Sequence, residues 1–390
     1  MKEIETDVLI VGSGLVGLVA AHSLSSLKYK VTLVDKKNFL DPKTAFKDTR
    51  TVAVSEGSKL FLETLSLWKY LEPYAEPIKK IEVHNRSSKN KILFNNEDRN
   101  KKLGYVIENK QFSKILINRL KKFKNTKILY DLDITKVFLE NKISSAQSKN
   151  YRINSKLIIS ADGKNSNIKK IIGNKTYKKK YSEDALVMNF VHKKKLNNTA
   201  YEIFYKSGPL AILPMYSPND FNQSTLIWSN SGKFIKKLLA CDHNFIKSFM
   251  EEKIGDIVGK IIKIKSQQMF PLSAHINDSF INKRLVYVGD SAHSIHPIAG
   301  QGWNLGVGDV KNLHKLCKNT NIDIGSDLFC KKYNEKSYNK AFQLFQITDQ
   351  LNKHFKNNNR PSRFFSNIGF RFIENRKKIK NEITKYAMGV

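Results

Sequence analysis

The chain has 390 residues, 41% hydrophobic and 26% charged, which is enough for two or three domains around a substantial core. Its 68 Lys and Arg against 35 Asp and Glu give a net charge of +33; the lysines are scattered along the whole length, so composition on solvated faces is the first reading and attraction to anionic partners such as acidic lipid headgroups the second, and no nucleic-acid partner is expected. Cys241, Cys317 and Cys330 include no Cys-x-x-Cys and argue against a disulfide scaffold or a zinc site, and no apolar run nears the ~18 residues that span a bilayer; with an N-terminus that enters a strand directly, a cytoplasmic protein in a reducing compartment is expected.

Residues 6–11 form an apolar strand. Gly12-Ser13-Gly14-Leu15-Val16-Gly17 follows, then an amphipathic run to about Leu27 and a second strand, 30–34, ending in Asp35. This order of strand, Gly-x-Gly-x-x-Gly, helix, strand and acid is a dinucleotide pattern. The first glycine makes the turn, the second lets backbone approach a pyrophosphate, and the third lets helix and sheet pack closely. The helix N-terminus offers N–H groups to phosphates, and an acid roughly 20 residues on can accept from ribose hydroxyls. The pattern alone does not separate FAD from NAD.

Arg50, in Asp48-Thr49-Arg50, suits a phosphate, a ring system or equally a surface position at a helix start. Residues 52–71 carry apolar side chains at helical spacing, among them Leu60, Leu62, Leu65, Trp68 and Leu71. Residues 81–84 and 91–94 read as antiparallel strands, 104–109 leads into a helix over 112–123, and 127–130 reads as a buried parallel strand. Strand signals continue at 134–139 and 151–153. Residues 157–160 form a buried strand ending in Asp162-Gly163, with Asn165, Ser166 and Asn167 as helix caps. An acid and a glycine at a strand's carboxyl end suit a ligand crevice, although plain Asp-Gly turns are common.

From about 181 to 272 the character changes to short strands, 185–191, 201–205, 210–215 and 224–228, with helical stretches near 233–250, the mark of an inserted antiparallel sheet. Strand 285–288 then opens a loop, 289–306, crowded with glycines, Pro297, two histidines and Asn304, and a helix follows over 305–316. Such a loop lets backbone come close to a flat, charged ligand. Helices are expected over 327–355 and 362–387. Their aromatics (Phe329, Tyr333, Phe342, Phe345, Phe364, Phe365, Phe370, Phe372) are expected to pack against the body, with exposed ones meeting an apolar substrate or a membrane surface as the lesser reading.

The three motifs near residues 12, 162 and 289, in this order, resemble the flavin-dependent aromatic hydroxylases of the para-hydroxybenzoate hydroxylase fold. The closer resemblance is to the ubiquinone-biosynthesis hydroxylases, over nearly the whole chain. It is carried by residues 48–55, 104–109, Ala211-Ile212-Leu213-Pro214, Leu226-Ile227-Trp228, Phe270-Pro271-Leu272, the run His296 to Gly306 with Asp309-Val310, and Ala387-Met388-Gly389.

The resemblance implies an α/β fold: an FAD-binding Rossmann-like domain of the glutathione-reductase type, an inserted antiparallel-sheet substrate domain and a helical C-terminus. The FAD-binding parts are expected at 1–75, 104–180 and 273–326, the substrate domain at 76–103 and 181–272, and the C-terminal helices at 327–390. It implies that Gly12, Gly14, Leu15, Val16 and Gly17 hold the FAD pyrophosphate and Asp35 its adenosine ribose. Arg50 lies along the cofactor, Asp162 and Gly163 serve FAD and the nicotinamide donor, and Asp290 binds the ribityl chain. The backbone through Pro297, Gly300, Gly302, Trp303, Asn304 and Leu305 faces the isoalloxazine ring. The implied reaction is hydroxylation of a polyprenylated phenol with NADH or NADPH and O2, through a flavin C4a-hydroperoxide; a hydroxylase of a small soluble aromatic compound is the alternative. No metal is needed, and His296 and Pro297 are the candidates for any direct catalytic role. Further expectations are peripheral contact with the inner face of the membrane or a place in a ubiquinone-biosynthesis complex. Ser291, Gly308 and Lys169 depart from the family's usual Ala, Arg and Arg, and Asp35 stands where Glu is frequent.

Overall fold

The computed structural model describes residues 1–38, 48–85, 91–95, 102–218, 221–297, 300–318, 321–356 and 376–389. The first half of the chain holds β1 (Lys2–Val11), α1 (Leu15–Ser26), β2 (Val31–Val34), β3 (Thr51–Ser55), α2 (Glu56–Thr64), β4 (Glu76–Ile78), β5 (Lys80–Asn85), β6 (Lys91–Asn95), β7 (Gly104–Glu108), α3 (Asn109–Leu120), β8 (Thr126–Leu129), β9 (Lys136–Phe138), β10 (Ser144–Gln147), β11 (Tyr151–Ser160) and α4 (Asn167–Ile172). The second half holds β12 (Thr176–His192), β13 (Thr199–Tyr205), β14 (Gly208–Met215), β15 (Asn222–Ser231), α5 (Gly232–Leu239), α6 (His243–Val258), β16 (Ile261–Asn277), β17 (Ile281–Asn282), β18 (Leu285–Tyr287), β19 (His293–Ser294), α7 (Gly302–Lys318), α8 (Asp327–Lys356) and α9 (Lys377–Met388).

The first sheet runs β17-β18-β11-β1-β2-β8. From β18 to β8 its pairs are all parallel. Helices cover both faces of such a sheet, so its strands read as unbroken apolar runs. Val8 to Val11 and Val31 to Val34 are accordingly buried at every position. Helix α1 is buried from Gly17 to Ser25 and packs against α3, whose inward stripe is Phe112, Leu116, Ile117 and Leu120.

The contact between these helices includes a histidine. His22 Nε2–H donates to the Leu116 carbonyl at 2.8 Å, and burial lowers the imidazole pKa to about 4. Unfolded histidine titrates near 6.5, so between these values the unfolded chain holds more protons. Stability therefore falls as pH drops from 6.5 to 4, by about 3 kcal/mol over the full span from this residue alone. His22→Gln keeps a donor for Leu116; urea midpoints taken across this window are expected to fall less steeply in the variant than in the parent.

The second sheet runs β19-β16-β12-β15-β14-β13-β5-β6. Alternation sets its two faces. Leu186, Met188, Phe190, Leu210, Leu226 and Trp228 point to one side and pack with Ile235, Ile246, Met250 and Ile254 of α5 and α6. The small third sheet, β3-β7-β4, closes part of the other face through Ile78, Val106, Ala200 and Met215.

The expected α/β fold with an antiparallel second sheet is what the structure shows, except that β5 joins that sheet parallel to β13; the other differences lie in the element edges. Residues 51–55 are strand, because Val52 and Val54 are β-branched and pair with β7, and the helix starts only after Ser55, whose Oγ accepts from Ser58 N. Strand β10, Ser144-Ser145-Ala146-Gln147, carries no apolar pattern and was not expected. Residues 151–160 are one strand rather than two. The boundaries expected at 180/181 and 272/273 fall inside two 17-residue strands, β12 and β16, which pair along their length with register shifts at Lys180/Asp184, Asn189/Phe190 and Val191/His192. Residues 377–388 are helical as expected, but Phe364, Phe365, Phe370 and Phe372 lie outside the described residues. Phe329, Tyr333 and Phe345 are buried, while Phe342 is exposed.

Candidate cofactor-binding site

In an open α/β sheet, ligands bind outside the carboxyl ends of the strands. Here the ends of β1, β11 and β18 lie side by side, tied by Ala161 N donating to Val11 O at 2.7 Å and Val288 N to Ser160 O at 3.0 Å. The three sequence motifs leave the sheet at these points, so the fold brings together turns that are about 130 to 150 residues apart.

The glycines of these turns fall into two kinds. Gly12 has φ +106°, and a Cβ there would lie 2.4 Å from Ala161 O; a Cβ on Gly17 would lie 2.0 Å from Gly12 O. Gly289 and Gly306 close around Val16, with a Cβ on either meeting its methyl groups at 3.1 and 2.9 Å. These four are small because protein is close. Gly14, Gly163 and Gly302 meet nothing within 4 Å. Gly163 has φ +80°, which alone favours glycine. No neighbour among the described residues requires Gly14 or Gly302 to be small. They begin helices of 12 and 17 residues, α1 and α7, whose first-turn N–H groups lack intrahelical partners. A long anionic ligand lying across both N-termini accounts for glycine at both positions. The cradle therefore fits FAD.

The acids of the site differ in what already holds them. Asp35 Oδ2 accepts from Ser13 N at 2.6 Å and Ser13 Oγ at 3.0 Å, and its Oδ1 accepts from Lys37 N at 2.8 Å. It thus braces the first glycine turn. Asp162 accepts from Ser160 Oγ at 2.6 Å and from Asn167 N and Ile168 N at 2.7 and 3.1 Å, which caps α4. Its carboxylate is engaged within its own loop, and Gly163 is what that loop offers outward. Asp290 is reached by solvent although protein surrounds it, the position of a carboxylate on the floor of an open cleft. Loss of hydration raises its pKa, while His293, Lys164, Arg50 and Lys169 pull the other way.

Arg50 makes a two-pronged pair with Asp48, Nε to Oδ1 and Nη2 to Oδ2, both 2.8 Å, and lies 5.4 Å from the centre of the Phe270 ring. Asn189 Nδ2 donates to Thr49 O at 2.6 Å, so this segment is fastened to β12. Asn304 pins the start of α7 to β3: its Oδ1 accepts from Ser55 N and Ser58 Oγ at 2.9 and 2.8 Å, and its Nδ2 donates to Ala53 O at 2.9 Å. Trp303 packs against Phe112 at 5.4 Å, and Leu305 enters the core beneath. Pro297 and Gly300 flank Ile298 and Ala299, which lie outside the described residues.

Neither histidine of the loop faces the crevice as an open base. His293 Nε2 lies 2.7 Å from Asp309 Oδ2, which also accepts from Gly289 N at 2.9 Å, and both side chains are buried. His296 is fully buried, with the Tyr181 ring edge-on at 4.9 Å. Asp309, Asp48, Asn189 and Lys164 belong to the site but were not singled out as site residues from sequence. Lys169 is buried with no hydrogen-bond partner for its amine among the described residues, and burial lowers its pKa to about 8. No group of three or more His, Cys, Asp or Glu among the described residues could hold a metal ion.

Comparison with known proteins follows the same outline. Residues 5–345 match a family model described as FAD binding domain. The chain is 27% identical over 387 residues to "Ubiquinone hydroxylase UbiL" of Rhodospirillum rubrum, spanning 98% of this chain and 89% of that one. It is 25% identical to the Escherichia coli "3-demethoxyubiquinol 3-hydroxylase", spanning 99% of both. The crystal structure of p-nitrophenol 4-monooxygenase PnpA from Pseudomonas putida superposes with a TM-score of 0.78 at 15% identity, covering 100% of this chain and 99% of that one, which is a likeness of fold.

Proposed function

This chain belongs to the FAD-binding-domain family of flavin-dependent monooxygenases, and from that premise we propose that it hydroxylates the phenol ring of a polyprenylated ubiquinone precursor. Its cofactor is FAD, with NADH or NADPH as the conventional co-substrate of such enzymes. The observation that carries the substrate reading is end-to-end similarity to ubiquinone hydroxylases.

When bound, FAD supplies the redox chemistry, taking electrons from the nicotinamide and delivering them to O2 so that one oxygen atom enters the ring. The protein's part is binding, orientation and charge. The Gly12–Gly17 turn and the α1 N-terminus would hold the pyrophosphate, with Leu15 and Val16 in the first turn. Asp35, already braced by Ser13, would accept from the adenosine ribose, and Asp290 on the cleft floor from the ribityl hydroxyls. Gly163 leaves room for cofactor or nicotinamide beside the Asp162 loop. The first turn of α7, Gly302 to Leu305, would present N–H groups and a positive helix end to the ring, stabilising negative charge there as an oxyanion hole does. Arg50 would lie along the same cofactor, held in place by Asp48. Pro297 and Gly300 would shape the wall facing the substrate. His296, buried beside Tyr181, would act through loop geometry.

No helix among the described residues is long and apolar enough to cross a membrane, so access to a prenylated substrate would be through peripheral contact. The test is removal of the protein from its cell: a prenylated phenol one hydroxylation short of the quinone accumulates on this account. Normal ubiquinone with no such intermediate would contradict it.

A further inference from the structure

A groove beside the nucleotide crevice, sharing Asn304 and Leu305 with it, runs between α7, α8, α9 and the β3–α2 junction, with a volume of about 240 Å³. One end is polar and belongs to the loop described above, through Gln301 and Asn304. The walls are apolar: Leu305 and Val307 from α7, Leu344, Ile347 and Leu351 from α8, and Ile383 from α9. Lys311 and Lys340 line the far end. From Gln301 to Lys311 the α7 wall is ~15 Å long at the helical rise.

Three observations indicate that this space is meant to be filled. Gly308, inside α7, lines the groove, and a Cβ there would meet nothing within 4 Å. A glycine inside a helix is unfavourable relative to alanine, and no neighbour among the described residues requires it. Ile347, Leu351 and Ile383 stay 45%, 38% and 38% exposed, so the walls hold apolar surface against water. Lys311 and Lys340 have no ion-pair partner among the described residues, and their aliphatic stems prolong the apolar wall while the ammonium groups can reach water.

We propose that this groove takes the isoprenoid tail of the substrate, with the phenol end at the Gln301–Asn304 loop and the tail running past Gly308 to leave between Lys311 and Lys340. The inference rests on the reading of the substrate as a prenylated phenol. The occupant follows from the order of the lining: polar at the loop, then mainly aliphatic over about two turns of α8, Leu344 to Leu351, then the two lysines. That order matches a phenol carrying a long hydrocarbon chain. Ile347, Leu351 and Ile383 are exposed and the two lysines suit anionic headgroups, so a bilayer-facing surface is the competing occupant that the vesicle measurement separates.

The test compares kcat/KM for phenols identical except for zero, one or three isoprene units. For the parent enzyme the value rises at least about tenfold from none to three, since each buried methylene adds to transition-state binding. Gly308→Phe fills the groove from a helical position and is expected to reduce that ratio to within about threefold of one; Gly308→Ala keeps it. Ile347→Glu, on an exposed wall position that does not threaten the fold, gives the same collapse, and Ile347→Leu restores it. Sedimentation with phosphatidylglycerol vesicles is measured on the same variants. An undiminished tail preference in Gly308→Phe and Ile347→Glu overturns the proposal, and if vesicle binding alone falls, the groove is a membrane-facing surface instead. A parent enzyme that hydroxylates prenylphenols with no tail preference removes the groove but leaves the function; one that hydroxylates none removes both.

Discussion

Gly17→Val is expected to yield protein without FAD. A Cβ at position 17 would lie 2.0 Å from the Gly12 carbonyl oxygen, and valine adds two methyl groups to that contact. Helix α1 must then move away from the turn that holds the pyrophosphate, at a cost of about 3 kcal/mol. Gly14→Ala is the informative partner. Nothing among the described residues lies within 4 Å of its added methyl, so the apoprotein should be as stable as the parent. FAD affinity should nevertheless fall, by about tenfold or more, because the methyl enters the space reserved for phosphate. Flavin content after purification and urea denaturation of both apoproteins separate the two effects. Equal FAD binding in Gly14→Ala and parent would mean that the open space beside Gly14 is not the cofactor's.

The second large effect is expected from Asp309→Ala. This carboxylate takes hydrogen bonds from His293 Nε2 and Gly289 N in a site where all three groups are buried. Removing it leaves two donors without an acceptor and costs about 3 kcal/mol in apoprotein stability. Gly289 touches Val16 and leads directly into Asp290, so FAD affinity should fall in parallel. Asp309→Asn retains one acceptor oxygen and should fall between parent and alanine in both measurements. Loss of stability with unchanged FAD affinity would show that the pair supports the core without positioning the loop.

What could be read from sequence was what sterics and apolar periodicity dictate directly. Gly12 and Gly17 between two apolar strands announce themselves because few side chains fit a turn that close to neighbouring backbone, and Gly14 completes the spacing of the pattern. Asp162 is less legible, since an Asp-Gly at a strand end looks the same whether the carboxylate faces a ligand or caps the next helix, as it does here. The partnership of His293 and Asp309 spans a turn and two helical turns, and neither residue carries a periodic signal. Strand β10 pairs through backbone with serines on its buried positions, so no hydrophobic alternation marks it. The domain edges at 180/181 and 272/273 were drawn at composition changes, but the strands continue through them. The tail groove depends on α8 and α9 meeting α7, a contact between segments that sequence spacing does not bring together.

The central claim is oxygen insertion by bound flavin into a prenylated phenol. The most direct measurement supplies the purified, FAD-loaded protein with NADH or NADPH, a prenylphenol and isotopically labelled O2. Nicotinamide oxidation stimulated by the phenol, and a product carrying one labelled oxygen on its ring, are expected. Nicotinamide oxidation that yields only peroxide, with the phenol recovered unlabelled, would contradict it.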